Sequence, residues 1–133
     1  METMRRMGLW MALTAWPVAG AWAETPKATP EVLAAGKQTY QAYCAQCHGA
    51  QGDGRGPGAA FLTPKPRSFV SEKLKYGETP DAVFKTVSEG VKGTPMGPFR
   101  SLSEQDRWAV THYVLSLKKG AAPTKGRSLA PSR

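Results

Sequence analysis

Cys44-Ala45-Gln46-Cys47-His48 constrains this chain more than any other stretch. Two thiols three residues apart, with an imidazole directly after the second, form the C-x-x-C-H pattern of covalent c-type haem attachment. On one helical turn both sulfurs reach the two vinyl positions along one porphyrin edge and form thioethers. The adjacent histidine then lies under the iron. Three rival readings exist. A redox C-x-x-C needs a thioredoxin-like βαβ context, which is missing here. A zinc site wants four ligands, and only His112 remains to join Cys44, Cys47 and His48. A plain disulfide between Cys44 and Cys47 suits an exported protein.

The N-terminus reads as an export signal. Arg5 and Arg6 form a positive n-region, Gly8 to Gly20 is uncharged and apolar, and Ala21-Trp22-Ala23 is an A-x-A cleavage site. Residues 1–23 are therefore expected to be cut off after Ala23. The paired arginines raise the twin-arginine route, but their flanks (Thr3-Met4 and Met7-Gly8) favour the general secretory one. The apolar stretch is too short to serve comfortably as an uncleaved anchor. After cleavage no membrane span is expected. The periplasm also suits the motif, because haem is attached outside the cytoplasm.

Losing residues 1–23 removes Arg5, Arg6 and Glu2, and leaves 16 basic against 9 acidic residues, a net +7. It also leaves one methionine, Met96, one tryptophan, Trp108, and two histidines, His48 and His112. A chain this short builds a thin core, and a covalently held apolar macrocycle supplies the missing one.

Local signals predict an all-α domain of three to five helices with long loops over residues 24–119. Thr29-Pro30-Glu31 starts the first helix: a capping threonine, a proline at N1 and an acid at the positive dipole end. Val32, Gly36, Tyr40 and Tyr43 share one face that runs into Cys44. Gly36 is a poor helix former at mid-helix, and its place on the buried stripe predicts a second backbone passing close. Gly49 to Gly58 reads as a loop, and Pro57, Pro64 and Pro66 keep the chain extended to about Phe69. Thr79-Pro80-Asp81 starts another helix, with Val83, Phe84 and Val87 inward and Gly90 as its stop. Ser103 to Asp106 is a capping box ahead of a last helix striped by Ala109, Val110, Tyr113, Val114 and Leu117. Residues 120–133 are basic and lack acids, so a disordered tail is expected.

The sixth iron ligand has one strong candidate. Met96 is the lone thioether and sits in a Gly/Pro-rich loop, where a core methionine would more often lie on a helical stripe. Rigid proline-flanked backbone suits a weak soft ligand, and thioether ligation raises the potential over bis-histidine ligation. The alternatives are Met96 as a gap-filler beside five-coordinate iron, or His112 as ligand. His112 falls off the apolar stripe of the last helix, where a histidine is usually a boundary residue.

These residues together resemble a class I cytochrome c. The likeness rests on Cys44 to His48, Gly36 and Tyr40 on the first helix, Met96 downstream, and Val110 and Tyr113 on the last. It covers nearly all of residues 24–133. Gly52 to Pro57, Pro64 to Arg67, Gly93 to Met96 and Asp106-Arg107-Trp108 resemble a bacterial periplasmic monohaem subgroup. A second proline often follows the ligand methionine there, and Gly97 stands in its place here. The resemblance implies helices wrapped around one covalent haem c, with His48 and Met96 as iron ligands. It also implies that Gly36 and Tyr40 meet Val110 and Tyr113. A proline carbonyl would accept the bond from the proximal histidine, and Pro57, Pro64 and Pro66 are all candidates. Cytochrome c′ is a poorer match, because its attachment motif lies near the C-terminal end of a four-helix bundle.

The resemblance implies one-electron transfer rather than substrate chemistry. No nucleophile–base pair, carboxylate dyad or phosphate loop appears. Lys65, Arg67, Lys73, Lys75, Lys85, Lys92 and Arg100 lie between the haem motif and the last helix. A basic rim would steer the protein to acidic docking sites on a reductase, oxidase or dehydrogenase. Export argues against nucleic acid. The expected protein is a soluble monomeric carrier or a haem subunit of a periplasmic oxidoreductase. A ligand sensor would need a vacant sixth site.

Overall fold

The computed structural model describes residues 24–120. The predicted signal peptide and residues 121–133 of the predicted tail lie outside them. Within the described residues the fold is all-α: α1 (Pro30–Tyr43), α2 (Ala45–His48), α3 (Pro80–Glu89) and α4 (Glu104–Gly120), with a 3-10 turn at Ala59–Phe61. The turn corrects the expectation of an extended chain from Pro57 to Phe69. Six residues separate Pro57 from Pro64, room enough for one tight turn.

The predicted starts hold for local reasons. The Thr29 hydroxyl accepts from Val32 N–H with Pro30 at the first position of α1, and Thr79 does the same for Ala82 N–H ahead of Pro80. Ser103 accepts from Asp106 N–H at 3.0 Å. The Asp106 carboxylate takes the Ser103 hydroxyl at 2.6 Å, so it does not return to the Ser103 amide as a full capping box would. Gly90 ends α3 at φ 72.

α1 and α3 each pack on α4. Gly36 is what lets α1 in. A Cβ there would collide with the Ala109 carbonyl and lie 2.9 Å from Tyr113 Cβ. Tyr40, fully buried, sets its ring 5.2 Å from that of Tyr113 and joins Val110 in the core. The predicted docking of Gly36 and Tyr40 on α4 is thus the observed one. Val83 and Val87 of α3, Phe69 and Val114 complete the core. Phe84 lies outside it, half-buried and stacked 4.0 Å from the Trp108 ring. Tyr43 is also displaced from the predicted stripe: it is 54% exposed, at the cavity mouth.

His112 is the clearest departure. It is buried, and its Nε2 lies 2.6 Å from the Pro26 carbonyl. Residues 24–28 fold back over α4, so a helix face that periodicity assigns to the boundary is covered from outside the helix.

Candidate functional site

α1 and α2 meet at Cys44, which caps the end of one and the start of the other. Cys44 carbonyl accepts from Cys47 N–H at 3.1 Å and His48 N–H at 2.9 Å. This single turn presents both sulfurs and the imidazole together. Its last carbonyls would be orphaned, and the glycine-rich loop satisfies them. Gly58, Gly56 and Gly54 N–H donate to the carbonyls of Gln46, Cys47 and His48 at 2.8, 3.1 and 2.8 Å. A Cβ on Gly56 would lie within 2.5 Å of the Ala45 carbonyl. Close backbone approach, not only turning, makes that loop glycine-rich.

Cys44, Cys47, His48 and Met96 all line one largely apolar cavity of about 490 Å³. That volume falls in the roughly 300–1,000 Å³ range of ligand and cofactor sites. Phe69, Val83, Val87, Val110 and Val114 supply its apolar wall. His112 does not line it, so His112 is not placed to ligate a group held there. Among the described residues no three His, Cys, Asp or Glu side chains gather around a metal-ion position, which leaves the zinc reading without a ligand set. Both thiols are free, with no disulfide between them.

His48 is oriented from two sides. Its ring stacks on Phe69 with centroids 4.5 Å apart. Its Nδ1 lies 3.0 Å from the Arg67 carbonyl. A carbonyl only accepts, so Nδ1 carries the proton and Nε2 keeps its lone pair. Burial pushes the His48 pKa below the ordinary imidazole range, while the bond to Arg67 pulls the other way. A neutral imidazole is what a metal needs. Burial also pushes the Cys44 thiol up to about 11, with Cys47 adding to the rise.

The acceptor corrects the expectation of Pro57, Pro64 or Pro66. The Pro66 carbonyl faces Gly54, where a Cβ would come within 2.8 Å of it. The next peptide along then offers the Arg67 carbonyl to His48. A main-chain acceptor leaves no mark on side-chain identity, so sequence reading had only the neighbouring prolines to go by.

Met96 sits in a closed loop. Val91 N–H donates to the Met96 carbonyl at 2.9 Å, and Met96 N–H donates to Thr94 Oγ1 at 3.2 Å. Thr94 hydroxyl in turn donates to the Val91 carbonyl at 2.7 Å. Gly97, where a second proline might stand, has open space around its Cβ position. The loop is tied on the N-terminal side of Met96, and Thr94, which sequence reading passed over, ties it. Of the seven predicted rim cations, Lys65, Arg67 and Lys75 line the cavity. Lys65 is occupied by the Ala59 and Ala60 carbonyls at 3.0 and 2.8 Å.

Residues 31–114 match the family model described as cytochrome C oxidase, cbb3-type, subunit III. Cytochrome c-554(547) of Halothiobacillus neapolitanus is 36% identical over 95 residues, covering 64% of this chain and 96% of that protein. Thiosulfate dehydrogenase of Stutzerimonas stutzeri (strain A1501) is 31% identical over 91 residues, 68% of this chain but 29% of that protein. A chain of the reducing HAO-like protein complex of Kuenenia stuttgartiensis superposes with TM-score 0.67 at 36% identity, over 71% of this chain and 47% of its own.

Proposed function

The chain belongs to the cytochrome c family that this model describes, and from that premise we propose that it is a diffusible periplasmic one-electron carrier with a His48/Met96-ligated haem c. Haem c, once bound, supplies a one-electron ferric/ferrous couple. The chain's own residues hold and tune it. Cys44 and Cys47 anchor it through thioethers from one helical turn. His48 would offer Nε2 while the Arg67 carbonyl holds Nδ1–H, and Met96 would offer its thioether from the loop between α3 and α4. The cavity walls are largely apolar, which would limit reorganisation when the charge on the metal changes. The observation that carries this reading is the convergence of Cys44, Cys47, His48 and Met96 on one apolar cavity.

Residues 1–23 act as a cleaved signal for export to the periplasm, residues 24–119 form the haem domain, and residues 120–133 form a basic tail. The arrangement performs electron transfer without substrate chemistry. Among the described residues no helix is long and apolar enough to cross a membrane. Lys75, exposed at the cavity mouth, and the exposed Lys73, Lys85, Lys92 and Arg100 draw redox partners with acidic docking surfaces.

A second reading has its own support: the chain matches only 29% and 47% of two larger relatives, so the same fold also serves as a part of bigger redox proteins. Size-exclusion chromatography of the native periplasmic fraction, followed by haem absorbance, separates the two. A haem peak at the size of the isolated chain supports the carrier. A peak held in a larger species through high salt supports the subunit.

A further inference from the structure

We propose that Glu72 tunes the iron through a peptide relay: its carboxylate polarises the Arg67–Ser68 peptide, whose carbonyl holds the His48 Nδ1–H. The proposal rests on the reading of His48 as an iron ligand.

One peptide unit makes both bonds. Its carbonyl accepts from His48 Nδ1 at 3.0 Å. Its N–H, on Ser68, donates to Glu72 Oε2 at 2.7 Å. That distance is the short end of charge-assisted N–H···O bonds. Hydrogen bonds in series polarise one another, more so where the dielectric is low. Ser68, which carries the N–H of the linking peptide, is 7% exposed, so the Glu72 end of the relay is partly shielded from water. An anion at one end pushes electron density toward the Arg67 oxygen, strengthens its hold on Nδ1–H and makes the imidazole a better donor to the metal. That favours the ferric state and lowers the potential.

The loop is built to keep Glu72 there. Glu72 N–H donates to the Ser68 carbonyl at 3.1 Å, and Lys118 Nζ donates to the Glu72 carbonyl at 2.9 Å. Ser71 N–H and Oγ both reach Ser68 Oγ, at 3.2 and 2.8 Å. The neighbouring cation does not cancel the charge. Arg67 Nη1 is 3.7 Å from Glu72 Oε1 with both side chains over two-fifths exposed, an arrangement worth little. The same Nη1 donates to the Lys73 carbonyl at 3.0 Å.

The test uses the mature holoprotein and Glu72→Gln, which keeps an acceptor for Ser68 N–H and removes the charge. Glu78→Gln controls for loss of a nearby anion: Glu78 shares the Lys118 tie, pairing with it at 2.9 Å, but caps Leu74 N–H and does not touch the peptide joined to His48. Glu72→Gln is expected to shift the redox equilibrium toward the reduced state by roughly threefold, about 28 mV at 59 mV per decade. It is also expected to move the His48 Nδ1–H resonance upfield in the reduced protein. Glu78→Gln moves both less. A Glu72→Gln potential no further from wild type than that of Glu78→Gln, or an unmoved Nδ1–H signal, overturns the relay. If the oxidised wild-type protein shows no paramagnetically shifted His48 imidazole resonances, the ligation reading fails and the relay fails with it. If those resonances are present and only the variant's response is missing, the relay alone fails.

Discussion

The Tyr40 hydroxyl donates to the Gly49 carbonyl at 2.7 Å, tying the last turn of α1 to the residue just after His48. Both groups are buried. Burial also pushes the phenol pKa well above its usual range, so Tyr40 stays a donor at any working pH. Tyr40→Phe removes one of two donors to that carbonyl, which still accepts from Gly52 N–H at 3.1 Å, so the loss is that of one hydrogen bond, about 0.5–1.5 kcal/mol. The urea midpoint of the Tyr40→Phe holoprotein is expected to fall with an unchanged slope. An unchanged midpoint would show that the bond contributes nothing.

Gly36→Ala sets two effects against each other. Alanine is better in a helix by about 1 kcal/mol, but its Cβ would strike the Ala109 carbonyl and crowd Tyr113 Cβ. A main-chain atom inside a helix cannot rotate away, so overpacking wins and the net loss is about 1–3 kcal/mol. Thermal unfolding of the holoprotein checks this, and a raised midpoint would contradict the packing of α1 on α4.

His112 holds residues 24–28 to α4 through the Pro26 carbonyl, with Thr25 Oγ1 at 3.4 Å from Asp81 as a weaker second tie. His112→Phe keeps a ring against Trp108 and removes the donor. Trypsin is expected to cut after Lys27 faster in the variant while the haem absorbance stays the same. Equal rates would mean that the histidine does not hold the segment.

Glu78 gives the acid side of the stability profile a sign. A hydrogen bond from Lys118, at 2.9 Å, and one from Leu74 N–H hold its carboxyl below the ordinary 4.5. A carboxyl lowered on folding contributes stability above its unfolded value and loses it as pH falls through the folded value. The contribution is small, because the carboxylate is solvent-exposed. Glu78→Gln is expected to flatten the stability profile below pH 4.5 and leave its neutral-pH shape unchanged. A variant profile parallel to wild type down to low pH would contradict this.

What the chain revealed in advance was what neighbouring residues decide. Thr29-Pro30, Thr79-Pro80 and Ser103 announce helix starts because caps act within three residues. Gly36 announces a close backbone because a mid-helix glycine has a cost that only contact offsets. Cys44, Cys47, His48 and Met96 stood out as a set because the attachment motif is local and the methionine stands alone. The Arg67 carbonyl, the burial of His112 and the Glu72–Ser68 bond were not legible. The first two depend on where a distant segment folds back, and the acceptor in each is main chain; the third spans only four residues but lies in a loop that no cap or periodicity announces.

As proposed, His48 and Met96 would both ligate the iron of one covalent haem c. The most direct test is visible and near-infrared absorption of the oxidised mature protein, followed by carbon monoxide after reduction, on wild type and Met96→Ala. A sulfur-to-iron charge-transfer band and no carbon monoxide response are expected in wild type, with the band lost and carbon monoxide bound promptly in the variant. A wild-type protein without the band that binds carbon monoxide promptly would contradict that ligation.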